Sequence, residues 1–246
     1  MEVRNIKLLV SYDGTDFCGW QRQDSGRTVQ GVIEQALFKI HKTHINLTGS
    51  GRTDSGVHAA GQAANFSTNI AGMNARNFVP ALNSILPRDI RILKAEEVPN
   101  EFHARFSACS RTYRYFFIMR RLLPIEARYN LYLENYPDIE TLNAYGRILQ
   151  GETDCSIFAG SGDTSKSKNR YIYNAVFFME NGRLIFEITA NAFLRKMVRS
   201  VAGTFLHYEK MKTPAEKLRG IIASGNRSLA GPTLPPQGLF LWKVEY

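Results

Sequence analysis

The dipeptide Asn181–Gly182 lies between two runs rich in aromatic and β-branched residues, Tyr171 to Met179 and Leu184 to Ala190. Asparagine and glycine both tolerate the left-handed backbone angles of a two-residue hairpin turn, and strands joined by such a turn must pair antiparallel. The second half of the chain is thereby committed to a sheet. Other strand patterns lie at Asn5 to Tyr12, Ala60 to Thr68, Asp89 to Ala95, Arg111 to Phe117 and Leu239 to Tyr246, each short and carrying apolar residues at alternate positions or throughout.

Helical spacing falls between these strands. Thr28 is placed to cap a helix with apolar positions at Val29, Val32, Ile33, Ala36, Leu37 and Ile40, and Asn77 to cap a short one with Pro80 in its first turn and Pro87 at its end. Asp138 heads a helix through Leu142, Tyr145 and Leu149 that Gly151 closes. From Asn191 to Tyr208 an apolar stripe of Leu194, Met197, Val198, Val201 and Phe205 predicts a helix with Arg195, Lys196 and Arg199 side by side. Thr213-Pro214-Ala215-Glu216 reads as a capping box, and Gly225 ends the helix that follows. Strands interleaved with helices, and no internal repeat, imply an α+β protein of two domains, residues 1–100 and 101–246.

The stretch from Thr48 to Phe66 concentrates the chemistry. Gly49, Gly51 and Gly56 surround Asp54 and Arg52 in a turn that leads into a strand, so an exposed carboxylate is held where another molecule can approach the main chain. An Arg52 folded back onto Asp54 would keep that carboxylate ionised and oriented. The same spacing also suits a surface turn with a solvated arginine. His58 is close enough in sequence to act as a base, but a packed, loop-supporting role suits it better.

Lys and Arg number 31 against 22 Asp and Glu, a net charge of +9, as expected of a protein that meets polyanions. The excess is uneven. Residues 1–97 carry 11 basic and 9 acidic groups, and residues 98–246 carry 20 and 13. Arg111, Tyr113, Tyr115 and Phe117 share one face of their strand, an arrangement that can stack and hold bases, although Phe116 and Phe117 read as core. Lys166, Lys168 and Arg170 in the polar run from Ser161 can meet phosphates or simply be solvated. Cys18, Cys109 and Cys155 form neither a disulfide framework nor a metal-binding pair, and no metal is expected. The absence of a signal peptide or a long apolar run points to a cytoplasmic chain with no membrane contact.

Over nearly its whole length the chain resembles the tRNA pseudouridine synthase A family. The resemblance rests on Tyr12-Asp13-Gly14-Thr15, Gly19-Trp20-Gln21-Arg22-Gln23, Gly51 to Ala59 and Phe102 to Ala108. It continues through Arg111-Thr112-Tyr113-Arg114-Tyr115, Asn191 to Arg199 and Gly238-Leu239-Phe240-Leu241. It implies two domains each like the RNA-recognition (ferredoxin-like) fold, a homodimer with a basic cleft, and isomerisation of uridine in the anticodon stem-loop of tRNA without a cofactor. By the same resemblance Asp54 is the catalytic residue, Arg52 assists extrusion of the target nucleotide, Tyr113 lies against the uracil and Arg199 pairs with the aspartate. Arg111 is a further candidate for contact with tRNA, beside Lys166, Lys168 and Arg170. Ser55 departs from the alanine common in the family. The alternative function is a noncatalytic RNA-binding module.

Overall fold

The computed structural model describes residues 3–246. It is an α+β protein of two compact units, one formed by Met1–Cys109 with Phe240–Tyr246 and the other by Ser110–Leu239. The chain therefore leaves the first unit a few residues beyond the boundary read at residue 100, and its last strand returns there. No helix among the described residues is long and apolar enough to cross a membrane.

In the first unit β1 (Arg4–Tyr12) lies between β3 (His58–Thr68) and β4 (Ile90–Val98), antiparallel to both. The short β2 (Thr48–Gly49) pairs with β3 antiparallel, and the terminal β10 (Leu239–Glu245) pairs with β3 in parallel. Ile6, Leu8 and Val10 are fully buried along β1, as the alternation predicts. They meet a core to which α1 (Val29–His41) contributes Val29, Ile33 and Leu37, all fully buried. Each such side chain contributes roughly 1.5–3 kcal/mol of transfer free energy. Thr28 caps α1 by accepting from the Gly31 N–H.

The α2 helix (Phe78–Asn83) begins differently from the sequence expectation. Asn74 rather than Asn77 supplies the side-chain cap, accepting from the Arg76 N–H and opening a 3₁₀ turn over Ala75–Asn77. The tighter turn delivers the chain into α2 already wound, so Asn77 sits within the winding instead of heading it.

In the second unit β5 (Ser110–Ile118), β9 (Arg183–Ala190), β8 (Asn169–Glu180) and β7 (Gly151–Asp154) form one antiparallel run, with β6 (Leu131–Tyr132) alongside β5 in parallel. Asn181 and Gly182 have φ of 51° and 72°, the turn that the dipeptide specifies. The helices are α3 (Ile139–Leu149), α4 (Met197–Lys210) and α5 (Ala215–Ala223). Phe205 of α4 packs against Tyr145 of α3 and against Phe177 and Phe186 of the hairpin; the latter two stack at 4.5 Å. Asp138 caps α3, its carboxylate accepting from the Glu140 N–H.

Two expected helix starts are displaced. Residues 191–196 are not helical, and α4 begins at Met197, because tertiary partners take the backbone groups a helix would have used. Asn191 exchanges backbone and side-chain bonds with Tyr171 at the end of β8, and the Arg195 N–H is held by Asp163. Before α5 no capping-box side-chain bond forms at Pro214. The Thr213 N–H instead goes to the Tyr208 carbonyl, and the Tyr145 hydroxyl donates to the Thr213 carbonyl at 2.5 Å.

Candidate active site

The loop carrying Asp54 is fixed through its neighbours. Ser50 donates its N–H to the Ala63 carbonyl at 2.8 Å and its hydroxyl to Gln62 Oε1 at 2.6 Å. Gln62 Nε2 donates in turn to the Gly51 carbonyl at 2.8 Å. Gln62 is fully buried, so its amide is useful only because these groups satisfy it. Thr53 is buried with its hydroxyl 2.8 Å from that of Tyr12, and its carbonyl accepts from the Trp20 N–H. Ser55 Oγ and the Gly56 N–H both donate to the Phe17 carbonyl. The segment from Tyr12 to Trp20 thus acts as a bracket for the loop.

The glycines read as permissive have distinct roles. A Cβ on Gly49 would stand 2.4 Å from the Trp20 indole nitrogen, whereas one on Gly51 would meet nothing within 4 Å. Gly49 is there for packing, and Gly51 leaves a face of the loop open.

Within this bracket Asp54 is half-buried and Arg52 is exposed. Of the two readings of Arg52 the solvated one holds: it is not folded back onto Asp54 and makes no hydrogen bond or ion pair with a described residue. With Thr53 anchored on Tyr12, the intervening backbone is held by a partner stronger than a solvated ion pair. His58 is fully buried, stacked 4.6 Å from Phe240, and accepts the Gly14 N–H at Nδ1 (3.0 Å). The same nitrogen lies 3.2 Å from Asp13 Oδ1. A backbone N–H can only donate, so Nδ1 is the acceptor in the Gly14 bond.

The second unit, taken by itself, holds the other residues singled out in the sequence. Tyr113 is 7% exposed and meets the edge of Phe193 at 5.0 Å and 80°. Arg111 is buried, with Nη1 donating to the Asn191 carbonyl at 2.8 Å, so it braces the 191–196 segment. Arg199, in the first turn of α4, donates from Nε to the Leu234 carbonyl at 2.7 Å, while the Leu234 N–H returns to the Arg199 carbonyl at 3.3 Å. Tyr115 donates to the neighbouring Pro235 carbonyl. Burial pushes its phenol well above the ordinary tyrosine range, with the Arg199 charge acting in the opposite direction.

The three cations of the polar run are not equivalent. Lys166 is exposed. Lys168 is paired with Asp163 at 2.5 Å, and Arg170 turns back onto the carbonyls of Ser167 and Asn169. Sequence reasoning missed Gln62, Asn191, Phe193 and Asp163 as supports. Only Gln62 left a readable signal, a long amide set in the small-residue strand His58–Thr68.

A loop carboxylate whose neighbours on both sides are anchored to a separate segment is a candidate reacting group. A family model described as tRNA pseudouridine synthase matches residues 8–107 and 147–246. The tRNA pseudouridine synthase A of Treponema denticola is 55% identical over 249 residues, covering 99% of this chain and 93% of its own. That of Caldicellulosiruptor saccharolyticus is 43% identical over 245 residues, covering 99% and 100%. A solved structure titled "Crystal Structure of a Cbf5-Nop10-Gar1 Complex" aligns at a TM-score of 0.34 and 10% identity, over 81% of this chain and about half (53%) of that one, too distant to add to the argument. The chain belongs to the tRNA pseudouridine synthase family. Its reaction is the isomerisation of uridine to pseudouridine in tRNA.

Proposed function

We propose that Asp54 carries this isomerisation, on uridines of the anticodon stem-loop. The observation that supports it most directly is the bracket around Asp54: Thr53 and Ser55 on either side are each anchored to the Tyr12–Trp20 segment. Preorganisation of this kind lets a carboxylate meet a reacting centre without first being ordered.

The reaction breaks the bond between ribose C1′ and N1 of uracil and forms one between C1′ and C5. The C5 proton is lost and N1 ends protonated, so the atoms balance without a redox partner or cofactor. A carboxylate can serve by attacking or by accepting a proton. The target must first leave its stack, at a cost of a few kcal/mol. Tyr113 offers a ring face to the extruded uracil, and Arg199, fixed by Leu234, supplies the cation for the aspartate. Arg52, exposed and unbonded to described residues, is available to fill the space the base leaves. The family resemblance also supports a homodimer acting in the cytoplasm, which sedimentation of the purified protein checks for assembly.

The test is Asp54→Ala on full-length tRNA. Pseudouridine, which has the same mass as uridine, is measured by nucleoside chromatography and mapped along the RNA; binding is measured in parallel by filter retention. The expected result is a loss of activity on the order of 10³-fold or more with affinity little changed, and with the wild-type product in the anticodon stem-loop. Substantial pseudouridine from the alanine variant overturns the assignment.

A further inference from the structure

The loop from Gly160 to Lys168 is tied to the entrance of α4 by a carboxylate that the reaction itself does not call for. The Asp163 side chain is only 6% exposed. Its Oδ2 accepts the Arg195 N–H at 2.7 Å, and its Oδ1 accepts the Ser165 N–H at 3.0 Å and the Lys168 ammonium at 2.5 Å. Two further bonds run between the same segments: the Gly160 N–H to the Arg195 carbonyl at 2.8 Å, and Arg195 Nη1 to the Ser161 carbonyl at 3.2 Å.

Removing a carboxylate from water costs several kcal/mol, which its partners must offset. Burial alone would raise the Asp163 pKa, but the Lys168, Arg195 and Ser165 donors outweigh it and hold the group well below the usual carboxylate range. The carboxylate is therefore charged throughout the neutral range. What these bonds secure is the turn before α4, where Lys196 is left-handed at φ 59° and supplies no side-chain cap. Arg199 follows three residues later, held from its other side by Leu234.

We propose that Asp163 is a positioning residue: it latches the 160–168 loop to the entrance of α4 and so sets where the Arg199 guanidinium stands, with Lys168 completing the latch instead of serving as a phosphate ligand. The inference rests on the role given to Arg199 above. It separates Lys168 from Lys166, two residues apart in sequence and different in function.

The experiment measures the single-turnover rate at saturating tRNA, and the tRNA Kd with its salt dependence, for Asp163→Ala, Asp163→Asn and Lys168→Met. Each is made alone and combined with Arg199→Lys. Asp163→Ala is expected to slow the chemical step about tenfold to a hundredfold with Kd within about twofold, since a latch displaces a group without removing a contact to RNA. Lys168→Met slows it in the same direction and leaves the salt slope unchanged. In the Arg199→Lys background neither variant causes further loss, as expected of residues acting through one group. Asp163→Asn keeps the shape and one acceptor, and decides the matter if the alanine variant fails to fold by thermal denaturation.

Multiplicative losses beside a slow Arg199→Lys enzyme overturn the inference alone. A fully active Arg199→Lys enzyme overturns the assignment of Arg199 and the inference with it. A Lys168→Met enzyme with normal rate and a reduced salt slope returns Lys168 to the RNA footprint and overturns the latch.

Discussion

The loop around Asp54 and the segments around Tyr113 and Arg199 are anchored through different sets of groups. In the first unit the main chain is anchored: the Gly51 and Thr53 carbonyls and the Ser50 and Gly56 N–H groups all have fixed partners. In the second unit the side chains proposed to act are themselves engaged, Arg199 by the Leu234 carbonyl and Tyr113 by the edge of Phe193. A group that must change its bonding during a reaction is best placed through its backbone. A group that must present one orientation throughout is best placed through its own side chain.

The largest effect that sharpens this contrast is expected at Tyr113. Tyr113→Ala removes the ring and should lower turnover about a hundredfold with little change in tRNA affinity, because one stacking contact is small beside a broad backbone interface. Tyr113→Phe should keep most of the activity if the ring face is what matters. Equal losses in single-turnover rate for the two variants would assign the role to the hydroxyl and break the orientation argument.

Next in size are paired glycine substitutions in the Asp54 loop. Gly49→Ala forces a methyl against Trp20 and should cost about 1–3 kcal/mol in chemical denaturation, as overpacking does. Gly51→Ala meets nothing within 4 Å in the protein and should leave stability nearly unchanged, so that any loss of activity it causes reports the approach of RNA. Equal destabilisation by both would show that the bracket is not where the loop is held.

The smallest effect is expected at Lys166. Lys166→Ala should weaken binding a few-fold for many tRNAs alike and reduce the slope of log K against log salt by about 1. Titration of binding between low and moderate salt reads it directly. An unchanged slope removes the exposed part of this loop from the RNA footprint.

Much of the fold was legible because its signals are satisfied within a few residues. Asn181–Gly182 makes its hairpin, and Thr28 and Asp138 cap their helices, with no help from distant segments. The glycine-rich stretch holding Asp54 also stood out in the sequence, but its supports did not. Tyr12, Trp20 and Gln62 belong to separate parts of the chain, and nothing in their spacing announces that they converge.

What the amino-acid order determined by itself is therefore local: which segments wind, which extend and where a tight turn must fall. The tertiary structure decided the competitions between partners. Arg195 and Lys196 have good helical spacing, yet their segment stays unwound because Asp163 and Tyr171 arrive to take the backbone bonds. Arg52 has a carboxylate two residues away, yet stays exposed because Thr53 is anchored on Tyr12. Lys168 has the look of a phosphate ligand, yet spends its charge on Asp163. For the 191–196 segment, partners 20 and 32 residues away outweigh the local helical bonds, because water competes weakly where it is excluded.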